Sequence, residues 1–181
     1  MQSLAAAALI ASLGLAVLFG CASQTKPIND GEAALPADYR TWPKYLTSVQ
    51  RPDAKEVRDI YINSTGADSK EARSFANGTV LVMENFAVQV DAAGNPVTGA
   101  DGKLIRGNLV RVFVMAKGAG YGATVPRELK TGDWVYAAYD ASGTKTADSL
   151  TACRSCHIPL AKTDFVFRVD EYYATRAKDG Y

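Results

Sequence analysis

The stretch TVLVMENFAVQV, from Thr79 to Val90, is the part of the sequence that most directly indicates the fold. Its side chains alternate between a largely apolar face and a mixed face; the apolar face consists of Val80, Val82, Phe86, Val88 and Val90. A period of two residues is typical of a β-strand whose two sides have different surroundings. Glu84 is the exception on the apolar side. The mixed side, which carries Met83, has the composition of a cavity wall or a half-solvated surface.

The segments around this strand predict more β-structure. A turn-rich stretch, DAAGNPVTGADGKLIRGN, leads to the apolar run Leu109–Lys117, so we expect a long antiparallel hairpin. Val57–Asn63 and Asp133–Tyr139 also resemble strands. We expect a short helix in PADYRTWPKYL that Pro43 interrupts, a helix from about Thr146 that ends or kinks at Pro159, and an extended segment that leads to a short C-terminal helix. The predicted class is therefore α+β, mainly antiparallel β-sheet with a few helices.

Size and charge limit the alternatives. The chain has 181 residues, of which 48% are hydrophobic and 22% charged, which suits one globular domain. Twenty basic and nineteen acidic side chains give a net charge of +1, and no basic run could follow a phosphate backbone. We expect no nucleic-acid partner.

The first residues predict export. Leu4 to Gly20 is an unbroken apolar run that is short for a membrane-spanning helix, so we interpret residues 1–20 as a signal peptide of the lipoprotein type. Leu18 to Cys21 resembles a lipobox, in which Cys21 would carry the lipid; the alternative is an ordinary signal peptide cut near Ala22. Residues 21–35 then form a tether and residues 36–181 the domain. We expect a periplasmic protein that contacts the outer membrane through its lipid anchor only.

The remaining cysteines form a motif. Cys153, Cys156 and His157 lie in TACRSCH, where two thiols are spaced to bond one porphyrin covalently and the adjoining histidine is placed to bind its iron. Such a Cys-x-x-Cys-His motif predicts one covalent haem c on a C-terminal helix. Zinc, a dithiol redox pair and a plain disulfide are the competing interpretations. Zinc would lack a fourth ligand, because His157 is the only histidine, and a thioredoxin-like pair needs a βαβ setting.

The other side of the iron has few candidate ligands. A second histidine does not exist, and no methionine follows His157. Met83 and Met115 remain as thioether ligands, although both are also good core residues. If neither reaches the iron, the haem is five-coordinate and open to nitric oxide, carbon monoxide or another small molecule. The β-rich middle of the chain argues against the four-helix cytochromes.

Several segments together resemble the cytochrome P-460 and cytochrome c′-beta family: LPADYRTW, VRDIYIN, FANGTVLVMENF, DWVYAAY and ACRSCHIPLAKTDFVF. The resemblance implies a mainly antiparallel β fold, a haem c and a homodimer. It also implies two kinds of chemistry, since members with a lysine cross-linked to the porphyrin oxidise hydroxylamine or nitric oxide, whereas c′-beta members bind gases. The cross-linking lysine corresponds to Met83, and a thioether cannot form that carbon–nitrogen bond, so we expect an unmodified haem.

Three functional hypotheses follow. The first is a five-coordinate protein that binds or processes nitric oxide, the second an oxidoreductase acting on hydroxylamine or nitric oxide, and the third an electron carrier with Met83 or Met115 as sixth ligand and an unidentified redox partner. Candidate residues beyond the motif are the pocket side chains Met83, Phe75, Phe86 and Tyr61. Lys162 and Asp164 match the family segment; they could orient the proximal side or pair with a haem propionate, and the alternative is an exposed ion pair. Arg40 and Trp42 match the family segment, but the sequence gives them no role.

Overall fold

A computed structural model describes residues 26–69 and 74–179, so the predicted signal peptide and Cys21 lie outside the described residues. One antiparallel sheet contains five strands in chain order. They are β1 (Lys44–Arg51), β2 (Glu56–Ile62), β3 (Val80–Val88), β4 (Arg106–Lys117) and β5 (Trp134–Asp140). The helices are α1 (Ser64–Ala67), α2 (Thr151–His157) and α3 (Val169–Asp179). The predicted α+β class is confirmed. Within these two described ranges, no helix is long and apolar enough to cross a membrane.

The predicted hairpin is confirmed by the pairing of β3 with β4, in which Met83 lies opposite Phe113 and Val82 opposite Val114. Because side chains alternate along a strand, the register separates the sheet into two faces. We call the side that carries Met83 the α2 face, since Cys153 of α2 packs against the core there. The side that carries Val82 is the opposite face.

Each face buries its own apolar cluster. On the α2 face, Leu81, Met115 and Tyr136 pack with residues of the C-terminal segment, including Tyr172. On the opposite face, valines and alanines of β3, β4 and β5 lie beneath the N-terminal segment, where Tyr39 is only 3% exposed. Burying a large apolar side chain contributes about 1.5–3 kcal/mol, so both clusters hold the sheet in place. The α2 face is the one that positions the motif.

Strand β1 was not predicted. In place of the expected helix there is a single 3-10 turn, Tyr39–Thr41, after which Trp42 is extended (φ −75°, ψ 159°) as the residue before Pro43 must be. The chain then enters β1 at the edge of the sheet. Edge strands are commonly polar, and Ser48 (φ 51°) lies at an irregularity in the register, so a pattern of period two is lost.

The C-terminal part differs from prediction in two places. Helix α2 begins at Thr151 rather than near Thr146, and it ends at His157 as Pro159 predicts; a 3-10 segment, Ile158–Thr163, follows. The expected extended segment is instead a turn that leads directly into α3. This turn brings the chain back towards α2.

The described part of the predicted tether, residues 26–35, lies against the free edge of β5. Tyr136 exchanges hydrogen bonds with it, since its N–H donates to Asp30 Oδ1 (3.0 Å) and its carbonyl accepts the N–H of Gly31 (2.7 Å). The hydroxyl of Tyr139 donates to the Ala33 carbonyl at 2.6 Å. These bonds satisfy backbone groups that an uncovered edge would leave to solvent. The folded unit therefore begins before Pro36.

Candidate functional site

Helix α2 brings the three motif residues together. Cys153, Cys156 and His157 have the spacing i, i+3 and i+4, which places them on one side of a helix. Both cysteines are free thiols. Cys153 is half-buried against the core, Cys156 is exposed and His157 is half-buried. Burial raises the pKa of the Cys153 thiol, and the negative charge of Asp30 acts in the same direction.

The imidazole of His157 is held in one orientation. Its ring centroid lies 5.2 Å from that of Tyr136 and 4.9 Å from that of Phe167. Its Nδ1 lies 2.6 Å from the carbonyl oxygen of Phe165. Since a carbonyl can only accept, Nδ1 carries the hydrogen and Nε2 keeps a free lone pair. Burial lowers the pKa of His157 and the bond to Phe165 opposes that effect, so the ring is a neutral base with Nε2 available to a metal.

Arg154 fixes α2 to the rest of the protein. This residue separates the two cysteines and is 1% exposed. Its guanidinium donates to both carboxylate oxygens of Asp30 at 2.7 Å, and it also reaches the hydroxyl of Thr131 (2.9 Å) and the carbonyl of Trp134 (3.1 Å). A planar guanidinium that uses several donors at once fixes both position and orientation. The N-terminal segment and the loop before β5 therefore clamp the motif helix.

The turn after α2 is fixed by Asp164. Its Oδ2 accepts the ammonium of Lys117 and the backbone N–H of Phe75, both at 2.7 Å. Lys117 also donates to the Phe75 carbonyl at 2.8 Å. We predicted a proximal role for Lys162 and Asp164; the structure gives the ionic partner of Asp164 as Lys117 of β4, whereas Lys162 lies exposed on the 3-10 segment.

The α2 face supplies an apolar wall. Ile60, Met83 and Phe113 lie side by side in one row across β2, β3 and β4, and all three are half-buried. Met115 lies one pair further along and is 7% exposed within the core. Phe75 is on this side too, 2% exposed, with its ring centroid 6.1 Å from that of Trp134. Met83 thus has the exposure of a wall residue, and Met115 and Phe75 that of core residues.

Tyr61 and Phe86 lie on the opposite face, which corrects their interpretation as pocket residues. The Tyr61 hydroxyl donates to Glu84 Oε2 at 3.2 Å, and Phe86 packs beneath the guanidinium of Arg106, whose carbon is 4.4 Å from the ring centroid. Strand register explains both positions, because Tyr61 pairs with Val82 and Phe86 with Val57. Neither can contact a group held on the α2 face.

Glu84, the exception in the alternating strand, is buried with partners. Its Oε1 accepts the hydroxyl of Tyr39 (2.8 Å) and Nε of Arg40 (2.7 Å). Burial and the bond to Glu84 raise the pKa of the Tyr39 hydroxyl above its usual value. Arg40, which had no role from the sequence, neutralises this carboxylate.

A polar group on the α2 face was missed. Glu56 Oε2 accepts hydrogen bonds from Arg58 (Nη2 at 2.8 Å) and from Asn85 Nδ2 (2.9 Å). The carboxylate fixes the amide orientation, because it can accept only from the NH2 group, so Asn85 Oδ1 faces the other way. That oxygen is buried and has no hydrogen-bond partner among the residues that the structure describes. Asn85 lies two residues from Met83, and the alternation of polar side chains in β2 was the available signal.

These groups fit a covalently bound haem. Two free thiols and a histidine with a free Nε2 share one side of α2, and on the α2 face of the sheet Asn85 Oδ1 is a buried acceptor with no partner in the described part of the chain. A model of the family described as cytochrome P460 matches residues 36–168. No curated protein matches the chain. The matched range contains the whole sheet, the motif helix and the Asp164 turn.

Proposed function

The chain belongs to the cytochrome P460 family, and from this premise we propose that it is an exported c-type haem protein that binds or processes small nitrogen oxides such as nitric oxide. Family membership itself implies a haem cofactor. The covalent attachment, the axial ligand and the nitrogen-oxide ligand are our proposal, which the geometry of α2 supports.

Three residues would hold the haem. Cys153 and Cys156 would supply the two thioether bonds, and Nε2 of His157 would bind the iron. The bond from His157 Nδ1 to the Phe165 carbonyl carries the proposal, because it selects the tautomer that can bind a metal through Nε2. When bound, haem supplies an iron that coordinates small molecules and exchanges electrons.

The protein's own contribution beyond binding is the wall of the α2 face. The row of Ile60, Met83 and Phe113 is apolar, so it excludes water and favours a neutral diatomic over an ion. Met83 has no amine to bond to a porphyrin edge. We therefore favour an unmodified haem with an open face over the cross-linked type.

One observation favours oxidation of hydroxylamine or nitric oxide as a second candidate. Within residues 26–69 and 74–179, no donor bonds to the buried Asn85 Oδ1, which lies next to Arg58 and Glu56 on the α2 face. A ligand with an N–H or O–H group would satisfy it, whereas nitric oxide would not. Side chains of the α2 face would thus decide both which class of ligand binds and whether the protein turns it over.

The absorption spectrum of the ferrous protein tests the proposal. We expect high-spin, five-coordinate bands that change when nitric oxide is added. Sharp low-spin bands without added ligand would contradict the open face and favour an electron carrier with a methionine ligand. A strongly red-shifted Soret band would favour the cross-linked type of chemistry.

The proposed setting is the periplasm. It rests on the apolar run Leu4 to Gly20 and on the lipobox that ends at Cys21, which would attach the protein to the outer membrane by lipid. We also propose a homodimer, from the family resemblance, and a redox partner of unknown identity.

A further inference from the structure

We propose that the ion pair of Lys117 and Asp164 positions the axial histidine: by fixing the turn that presents the Phe165 carbonyl, it sets the orientation of the His157 ring and the strength of its bond to iron. This inference rests on the proposed haem site. Nothing in the motif itself points to it, since Lys117 lies on a different element from α2.

The turn that carries the carbonyl has an unfavourable backbone. Asp164 (φ 52°) and Phe165 (φ 62°) are consecutive residues in the left-handed region, which side chains with a Cβ rarely adopt. Local hydrogen bonds support it, from Asp164 N to the Ala161 carbonyl (3.3 Å), from Phe165 N to the Leu160 carbonyl (2.8 Å), and in both directions between Thr163 and Val166 (3.1 and 2.8 Å). Such conformations persist where surrounding contacts over-determine them. These bonds fix the shape of the turn, and a restraint from outside it fixes its position against the sheet.

Asp164 supplies that restraint. Its carboxylate is bonded to the Lys117 ammonium and to the Phe75 N–H, and the two ionic side chains are only 13% and 12% exposed. Charge-assisted bonds shielded from water are short and strong. Lys117 is itself held at the end of β4, because it forms the last pair of the β4–β5 ladder with Trp134 and its backbone bonds to Thr79 and Gly78 on the other side. The Asp164 carboxylate thus ties the turn directly to β4 of the sheet.

The consequence reaches the iron through one hydrogen bond. The Phe165 carbonyl lies one residue from Asp164 and accepts from His157 Nδ1 at 2.6 Å. A partner on Nδ1 fixes the tautomer of a ligating histidine and raises its basicity, and loss of such a partner typically weakens metal binding about 10–100-fold. If the turn relaxes, the carbonyl moves away and the ring loses both its orientation and its donor strength.

The test compares Asp164→Asn and Lys117→Gln, which we call the latch variants, with a matched control. Asp148→Asn breaks an ion pair with Arg111 on the same strand β4, but the two side chains are 37% and 44% exposed, and the hydrogen bonds of Asp148 go to Arg111 and Thr146. In the ferrous protein the iron–histidine stretching band is recorded by resonance Raman. The rate at which histidine leaves the iron under nitric oxide is measured alongside, together with the thermal midpoint.

We expect both latch variants to shift the band to lower frequency and to broaden it, and to raise the rate of histidine loss about tenfold or more. The control should match the wild type. Latch variants that lower the thermal midpoint but keep the wild-type band and rate would overturn the proposal, because the pair would then serve stability alone.

A second readout does not require haem. His157 is the only histidine, so a chain labelled with nitrogen-15 histidine reports on this ring alone. The wild type should show the single Nδ1–H tautomer, and the latch variants a mixture. If the wild type carries no covalent haem, the proposed function fails, whereas this tautomer signal still decides the role of Lys117 and Asp164: a mixture supports it and an unchanged tautomer overturns it.

Discussion

Replacing Asp30 with alanine should destabilise the protein more than the removal of a surface charge does. Arg154 would keep its bonds to Thr131 and to backbone carbonyls, but its side chain, 2% exposed, would lose the only carboxylate that it contacts among the described residues. Breaking a buried ion pair by removing one partner costs about 3–5 kcal/mol. Because the side chain of Asp30 is 23% exposed, water replaces part of it, and we expect about 3 kcal/mol.

The assay is thermal unfolding followed by circular dichroism. For a chain of this size about 1 kcal/mol shifts Tm by about 2–4 °C, so Asp30→Ala should lower Tm by about 6–12 °C. Asp148→Ala removes a partner from an exposed pair and should cost less than about 1 kcal/mol. The double variant Asp30→Ala, Arg154→Met should recover part of the loss, since it leaves no unpaired buried charge. A change in Tm no larger than that of the control would refute the clamp.

Three further predictions concern separate parts of the chain. Met83→Leu should leave the ferrous spectrum high-spin, and Met83→Lys treated with peroxide should acquire a red-shifted band if the wall lies beside the porphyrin; conversion from low-spin to high-spin in the leucine variant would instead make Met83 an axial ligand. The wild type should fractionate with membranes and Cys21→Ser should be soluble, whereas wild type found only in the periplasmic supernatant would rule out lipidation. Burial raises the pKa of Asp59, but the Ser48 N–H and the Lys44 ammonium outweigh it and hold the pKa below its usual value, so this carboxylate adds stability above about pH 4 that is lost as the pH falls. Tm is measured at about pH 6 and at about pH 3, and the fall in Tm between them should be smaller for Asp59→Asn than for the wild type. An equal fall in both proteins would show that Asp59 does not contribute.

The hairpin and the motif could be predicted because their signals are local. The alternation of Thr79 to Val90 has the two-residue period of a strand. Pro159 predicts the end of α2 because its ring clashes with the carbonyl of the preceding turn. The Cys-x-x-Cys-His spacing carries its chemistry within five consecutive residues. The strand assignment also placed Met83 on the mixed side, which is the α2 face.

The remaining features depend on long-range contacts that no local pattern contains. Asp30 and Arg154 are separated by 124 residues, and Lys117 and Asp164 by 47. Strand β1 was not predicted because it lies at the edge of the sheet, where polar residues replace the alternation of apolar and polar side chains. Tyr61 and Phe86 were assigned to the pocket because of their residue type. The alternation of side chains along β3 already places Phe86 on the other face of the sheet from Met83.

The most direct test of the central claim is a haem stain of the denatured protein after expression with a haem-maturation system. The wild type should keep its haem through denaturation, Cys156→Ala should hold it more weakly, and Cys153→Ser with Cys156→Ser should lose it. His157→Ala should still stain while its native spectrum changes, because the thioether bonds and the axial bond are separate. A wild-type protein with no haem that survives denaturation would contradict the account.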